Sequence, residues 1–271
     1  MRPFFENNVL QQQPFKPMII VVDTTKAGSA SNTFVLPIIK DTTETVKIYW
    51  GDGTNSTGVN GNNTHVYAAS GIYTVKIESK IFGGLYFNNV GDKAKITKIA
   101  NYGQGVSRLN TGSFYGCSSL LSIDIGNIVS NGTNAYAMFA RCTALTTVPL
   151  FNLSNCTNAR TMFYQCTALT TVPLLNLSSV TDAYAMFYLC SSLTTVPLFN
   201  LSNCTNAANM FSGVTLTTQS YSDFLINLAT LPLQSGVSFT GGNSKYNPAA
   251  AIARAYLISN FGWTITDGGA A

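Results

Sequence analysis

Residues 134–157, 158–181 and 182–205 are three copies of one 24-residue unit, written NAYAMFARCTALTTVPLFNLSNCT, NARTMFYQCTALTTVPLLNLSSVT and DAYAMFYLCSSLTTVPLFNLSNCT. Met138, Met162, Met186 and Met210 fix the register. A period of this length constrains the chain to a repeat architecture, and a solenoid is the first expectation. One copy cannot bury its own apolar face. Stacked copies can, at a strand spacing of about 4.8 Å. Such a stack is a device for presenting surface, and no catalytic motif competes with it in this chain.

Within the second copy the apolar positions are Met162, Phe163, Cys166, Leu169, Val172, Leu174 and Leu177. Leu169-Thr-Thr-Val172-Pro-Leu174 has the three-then-two spacing of the leucine-rich consensus, which predicts a short strand entering a turn. Thr157 and Asn158 are suitable N-caps, so Asn158–Cys166 is expected to form about two helical turns, with Met162 and Cys166 on one face. Positions that vary between copies are expected to be exposed. These are Tyr136, Arg160, Tyr184 and Ala208 in one row, Ala140, Tyr164 and Tyr188 in a second, and Phe151, Leu175 and Phe199 in a third. Tyr136, Arg160, Tyr164, Tyr184 and Tyr188 form the candidate recognition surface. Aromatic side chains among Ser, Thr and Asn suit sugar stacking or protein contact; the alternative is that they pack on neighbouring turns.

Charge narrows the function classes. Charged residues make up 10% of the chain, net +4, and only Asp124, Arg141, Arg160 and Asp182 carry charge between 111 and 215. That removes the usual footprint of nucleic-acid binding. Lys93, Lys95 and Lys98 read as a solvated loop. Cys117, Cys142, Cys166 and Cys190 occupy one repeat column, and Cys156 and Cys204 another with Val180 between them. A column that accepts Val marks a small buried slot, so free buried thiols are expected rather than disulfides. No C-x-x-C occurs and His65 is the single histidine, so neither a metal nor a cofactor is expected. Asp52 with Asn55 reads as a turn rather than a calcium loop, and His65 as a packing and hydrogen-bonding residue. No G-x-S-x-G elbow is present. Asp124 and Asp182 lie more than two repeats apart, too far for the paired carboxylates of glycoside hydrolysis. The chain is expected not to be an enzyme.

The repeated SNCT or SSVT followed by MF-x-x-C-x-x-L resembles the BspA-type leucine-rich repeats of bacterial and phage surface proteins, most closely over Ser154–Leu169 and Ser178–Leu193. That resemblance implies adhesion or recognition. Upstream, Trp50-Gly-Asp-Gly53 followed by His65-Val-Tyr67 and Gly71-Ile-Tyr-Thr-Val75 resembles the PKD-type immunoglobulin-like β-sandwich, over about 35 residues. The expected fold class is therefore mixed α and β: a PKD-like sandwich over 18–82, a leucine-rich-repeat solenoid over 83–213 and an α/β capping module over 214–271. In that module Tyr221–Ala229 is expected to form a short helix. Asn247 and Pro248 open a stronger one that stops at Gly262, and a strand follows.

Residues 1–17 carry Phe4, Phe5 and Phe15 among prolines and glutamines. They read either as a disordered tail or as an arm that docks on another virion protein or on a copy of the same protein. No secretory segment is visible in this stretch, and Met18–Val22 is too short to span a bilayer. A virion surface protein made in the host cytoplasm is the first expectation: a fibre, decoration or receptor-recognition subunit, oligomeric in its assembly and in contact with a host protein or glycan. A bacterial cell-surface adhesin and a purely structural spacer are the alternatives. Neither nucleic-acid binding nor membrane insertion is expected.

Overall fold

The computed structural model describes residues 16–40, 43–81, 83–103, 111–124 and 133–271. Phe4, Phe5 and Phe15 of the expected docking arm lie outside the described residues. The N-terminal part is built of strands β1 (Met18–Asp23), β2 (Thr33–Ile39), β3 (Val46–Tyr49), β4 (Asn55–Gly58), β5 (Gly61–Val66), β6 (Ile72–Glu78), β7 (Gly84–Leu85), β8 (Ile96–Asn101) and β9 (Ser122–Ile123). Six of them form one open sheet in the order β4-β3-β6-β1-β8-β9, and three form another in the order β5-β2-β7. The two-residue period of Met18, Ile20 and Val22 on β1 and of Phe34, Leu36 and Ile38 on β2 puts those side chains in the core. Trp50 follows β3 and enters a turn that only glycine can make. Gly51 has φ +91°, and a Cβ there would lie 2.6 Å from the Thr74 carbonyl oxygen.

The expected fold class is overturned. The described residues are mostly β-sheet and turn, in open sheets, with just two α-helices, α1 (Thr218–Leu228) and α2 (Pro248–Phe261). A leucine-rich-repeat solenoid needs a strand and a helix or 3₁₀ turn in each unit, and the 24-residue copies contain neither. They are turns joined by isolated bridges such as Asn158↔Asp182 and Thr147↔Thr171. The N-terminal sheets are not immunoglobulin-like either. The six-stranded sheet ends in β8 and β9, which pair parallel, whereas that sandwich is built from antiparallel strands.

Turns win over helix in Asn158–Cys166 for a local reason. Thr161 and Gln165 have φ +54° and +58°, as do their counterparts Ala137, Arg141, Ala185 and Leu189 within a few degrees. Left-handed residues every fourth position exclude an α-helix. They turn alternate amides along the stack. Ala159, Thr161, Phe163 and Gln165 donate to the carbonyls of Asp182, Tyr184, Met186 and Tyr188 at 2.7–2.9 Å. The amides between them close tight turns within their own rung, as Met162 N–H does on Ala159. Asn158 does not cap a helix. Its Oδ1 accepts from the Arg160 amide at 3.0 Å, an Asx turn repeated by Asn134, Asp182 and Asn206.

The core follows the rungs. Phe114, Phe139, Phe163, Phe187 and Phe211 stack at centroid separations of 5.5–5.8 Å, each pair adding about 0.5–1.5 kcal/mol beyond its burial. All six cysteines are free and buried. The Cys142, Cys166 and Cys190 thiols donate to the Phe114, Phe139 and Phe163 carbonyls at 3.1–3.2 Å. Phe151, Leu175 and Phe199, expected outside because they vary, are buried; Phe139 and Phe187 each hold one of these rings at stacking distance. Leu174, expected inside, is 60% exposed.

Beyond the repeats, β10 (Ser238–Thr240) and β11 (Thr264–Thr266) continue the stack as a parallel pair. Phe239 bridges Ala207, and α1 and α2 pack alongside. As the sequence predicts, Asn247 caps α2 through the Ala250 amide at 3.0 Å, Pro248 is its first residue, and Gly262 at φ +66° ends it. Arg254 on α2 pairs with the buried Asp267 at 2.8 Å.

Two substitutions test this arrangement. Met162 is fully buried, so Met162→Asp should cost several kcal/mol, seen as a large fall in Tm; a Tm at the wild-type value would refute the register. Thr161 is β-branched and left-handed, a conformation that costs about 1–2 kcal/mol. Relief of that strain exceeds glycine's entropy cost of about 0.5–1 kcal/mol, so Thr161→Gly should raise the stability measured by urea titration.

Candidate recognition surface

Of the residues that vary between copies, Phe151, Leu175, Phe199 and Ala140 are buried, while the candidate recognition residues reach the surface. Tyr136 is 39% exposed, and Arg160, Tyr164, Tyr184 and Tyr188 are partly exposed. The Arg160 guanidinium lies 3.9 Å from the Tyr184 ring centroid and 3.7 Å from the Asp182 carboxylate. Tyr164 and Tyr188 stack at 4.9 Å with planes 7° apart. The structure thus brings four of the five residues into two contacting pairs one repeat apart, while Tyr136 takes part in neither.

The geometry limits what this face offers. The Tyr164–Tyr188 stack covers one face of each ring, and Arg160 covers one face of Tyr184. A sugar ring stacks on a free aromatic face, so half of the ring area of Tyr164, Tyr184 and Tyr188 is already taken. The Tyr184 hydroxyl already accepts from the Asn209 amide at 3.2 Å. Sequence reasoning missed Arg141, whose Nε donates to Gln165 Oε1 at 3.0 Å and whose guanidinium lies 5.9 Å from the Tyr115 ring. Its signal was available, since Arg141 and Gln165 occupy the same repeat position.

A second polar cluster sits in the N-terminal sheets. His65 Nε2 lies 2.7 Å from Asp52 Oδ2, and the His65 ring stacks on Trp50 at 4.8 Å. The Thr54 hydroxyl donates to the other oxygen of Asp52 at 2.6 Å. The hydroxyl also lies 3.5 Å from His65 Nε2, so the three side chains lock the turn together. Burial pushes the Asp52 carboxyl up, but the hydrogen bonds from Thr54 and His65 outweigh it and bring it down to about 2.

Lys95 departs from the expected solvated loop. It is fully buried, and its ammonium donates to the Ser29, Ala30 and Thr33 carbonyls at 2.7–3.0 Å. Asp92, also buried, lies 3.9 Å away and accepts from the Ser29 and Val35 amides. The pair ties the loop between β1 and β2 to the start of β8. Desolvation lowers the Lys95 pKa against the pull of Asp92.

Among the described residues no group of three or more His, Cys, Asp or Glu is placed to hold a metal ion. The six thiols are held in their protonated form. Burial pushes all six up, Cys190 to about 12, where the thiolate is scarce.

Residues 109–224 match the model of a family described as a Mycoplasma protein of unknown function, DUF285. The match covers less than half of the chain and coincides with the repeat block. No curated protein matches the chain, and no solved structure does.

Two measurements follow. Because the folded Asp52 pKa lies below its unfolded value near 4, the stability this carboxylate contributes is complete above about pH 4 and is lost as the pH falls toward 2. Asp52→Asn should flatten the fall in Tm over that window. A thiol reagent should label none of the six cysteines until denaturant is added; labelling of any one in the native protein would contradict their burial.

Proposed function

We propose that this is a non-enzymatic recognition protein of a virion surface, a fibre, decoration or receptor-binding subunit, whose repeat block faces outward. One observation carries the reading. The repeat block uses its backbone amides and most of its apolar side chains on itself, and displays a low-charge face on which Arg160, Tyr164, Tyr184 and Tyr188 recur at the repeat spacing. The resemblance of the repeats to BspA-type surface repeats supports outward presentation. The lock formed by Asp52, Thr54 and His65 supports a scaffold role for the N-terminal sheets.

Covered ring faces favour a protein or the polar rim of a glycan over face-on sugar stacking as the ligand. Scattered charge argues against nucleic acid. No helix among the described residues is long and apolar enough to cross a membrane.

Mass spectrometry of purified particles tests the placement, and the protein should be present at stoichiometric copy number. Binding of the purified protein to host cells tests the surface. Arg160→Ala with Tyr164→Ala should weaken it about tenfold or more, as loss of interface anchors does, while Tm stays within a few degrees. Unchanged binding would remove this face from the function.

A further inference from the structure

Helix α2 is turned the wrong way round for a surface helix. Its one charged residue, Arg254, leans inward onto the buried Asp267. Ala250, Ala253 and Leu257 face the core. The opposite side carries Pro248, Ala251, Ile252, Ala255, Tyr256 and Ser259, all exposed, with Ile252 at 79% and Tyr256 at 44%. A solvated helix puts charge on its outer face, and one that is apolar all round belongs in an interior. Among the described residues α2 is covered on one side only.

We propose that the outer face of α2 is an interface between two copies of this chain, crossed antiparallel about a two-fold axis. Charge is the first argument. The face carries none, so it offers nothing for the charges of an unrelated partner to pair with, and it sets no like charges together when it meets itself. An isologous contact needs only such a self-complementary patch. At the end of the helix, the exposed Lys245 stands just before the N-terminus of α2. Antiparallel pairing brings it toward the C-terminal end of the other copy's helix, where the dipole is negative.

Shape is the second argument. Ala251, Ala255 and Ser259 recur every fourth residue and leave a low column, and Ile252 and Tyr256 stand beside it. About a two-fold axis the ridge of each copy enters the hollow of the other, at the roughly 8–10 Å spacing of packed helices. Tyr256 is already held in place. Its ring meets Phe261 edge-on at 5.7 Å and its hydroxyl accepts from the Asn260 amide at 3.3 Å, so little side-chain freedom is lost on pairing.

Area sets the strength. These side chains and their neighbours on α2 expose about 500–600 Å² per copy, a total of about 1,100 Å² in a pair, which just clears the size of a specific interface. The pairing is therefore weak. Where the recognition reading holds, the pair presents two repeat blocks to one target; the contact itself does not depend on that reading.

Sedimentation velocity of the full chain between about 1 and 300 µM tests the proposal. Monomers should convert to dimers across that range. Ile252→Glu should weaken the dimer about tenfold or more, with Tm unchanged because this side chain is largely exposed in the single chain. Leu174→Glu, at an exposed leucine of the repeat block, should leave the dimer intact. A chain that stays monomeric at the highest concentration overturns the proposal. So does a dimer that survives Ile252→Glu, or one lost in Leu174→Glu, which would put the contact on the repeat block.

Discussion

Everything in the repeat block depends on the amide that points along the stack. In an α-helix each N–H is satisfied within its own segment. Here a left-handed residue at every fourth position turns alternate amides outward, onto the next rung's carbonyls. That single choice fixes the vertical spacing and makes the 24-residue period a requirement. An inserted residue would break the bonds at its own rung and offset the phenylalanine stack above and below. The left-handed positions are costly for residues such as Thr161, and the inter-rung bonds and stacked rings they permit offset that cost.

The same bonding joins the two halves of the protein. Leu85 on β7 pairs with Ile38 on β2, and directly after it Phe87, Asn88 and Asn89 donate to the Ser113, Gly112 and Tyr115 carbonyls. On the other side β8 links β1 to β9, and residues such as Thr146 and Thr170 continue the parallel pairing. Both N-terminal sheets therefore run into the repeat block through backbone hydrogen bonds, and a single apolar core passes through both.

Much of this was legible in the sequence, and the failures have physical causes. The repeat register, the buried Met and Cys columns and the capped α2 followed from period and local chemistry. The turns did not, because Met162, Cys166 and Leu169 have a spacing that a helix and a chain of tight turns both satisfy. Only Gly112, Gly116 and Gly213, which stand at the left-handed positions of the flanking rungs, hinted at the answer. Variation proved a poor guide to exposure, since Phe151, Leu175 and Phe199 change volume inside a core that also changes neighbours. The leucine consensus misplaced Leu174 for a related reason: after Val172-Pro173 the chain does not continue as a strand, and alternation no longer tells inside from outside. Lys95 was misread because a charge in a short run gives no sign of the carbonyls that later surround it.

The joint between the last rung and β10 differs from those before it. Ala207 and Phe211 donate to the Ser238 and Thr240 carbonyls, and Asn209 finds the Thr240 hydroxyl in place of a backbone acceptor. Under tension along the axis this joint has fewer backbone bonds to share the load than those between complete rungs. Mechanical failure would begin there, peeling β10, β11 and both helices away as one piece while the rungs from Asn134 onward held. The chain then has a built-in order of yielding, with its repeat face the last part to be lost.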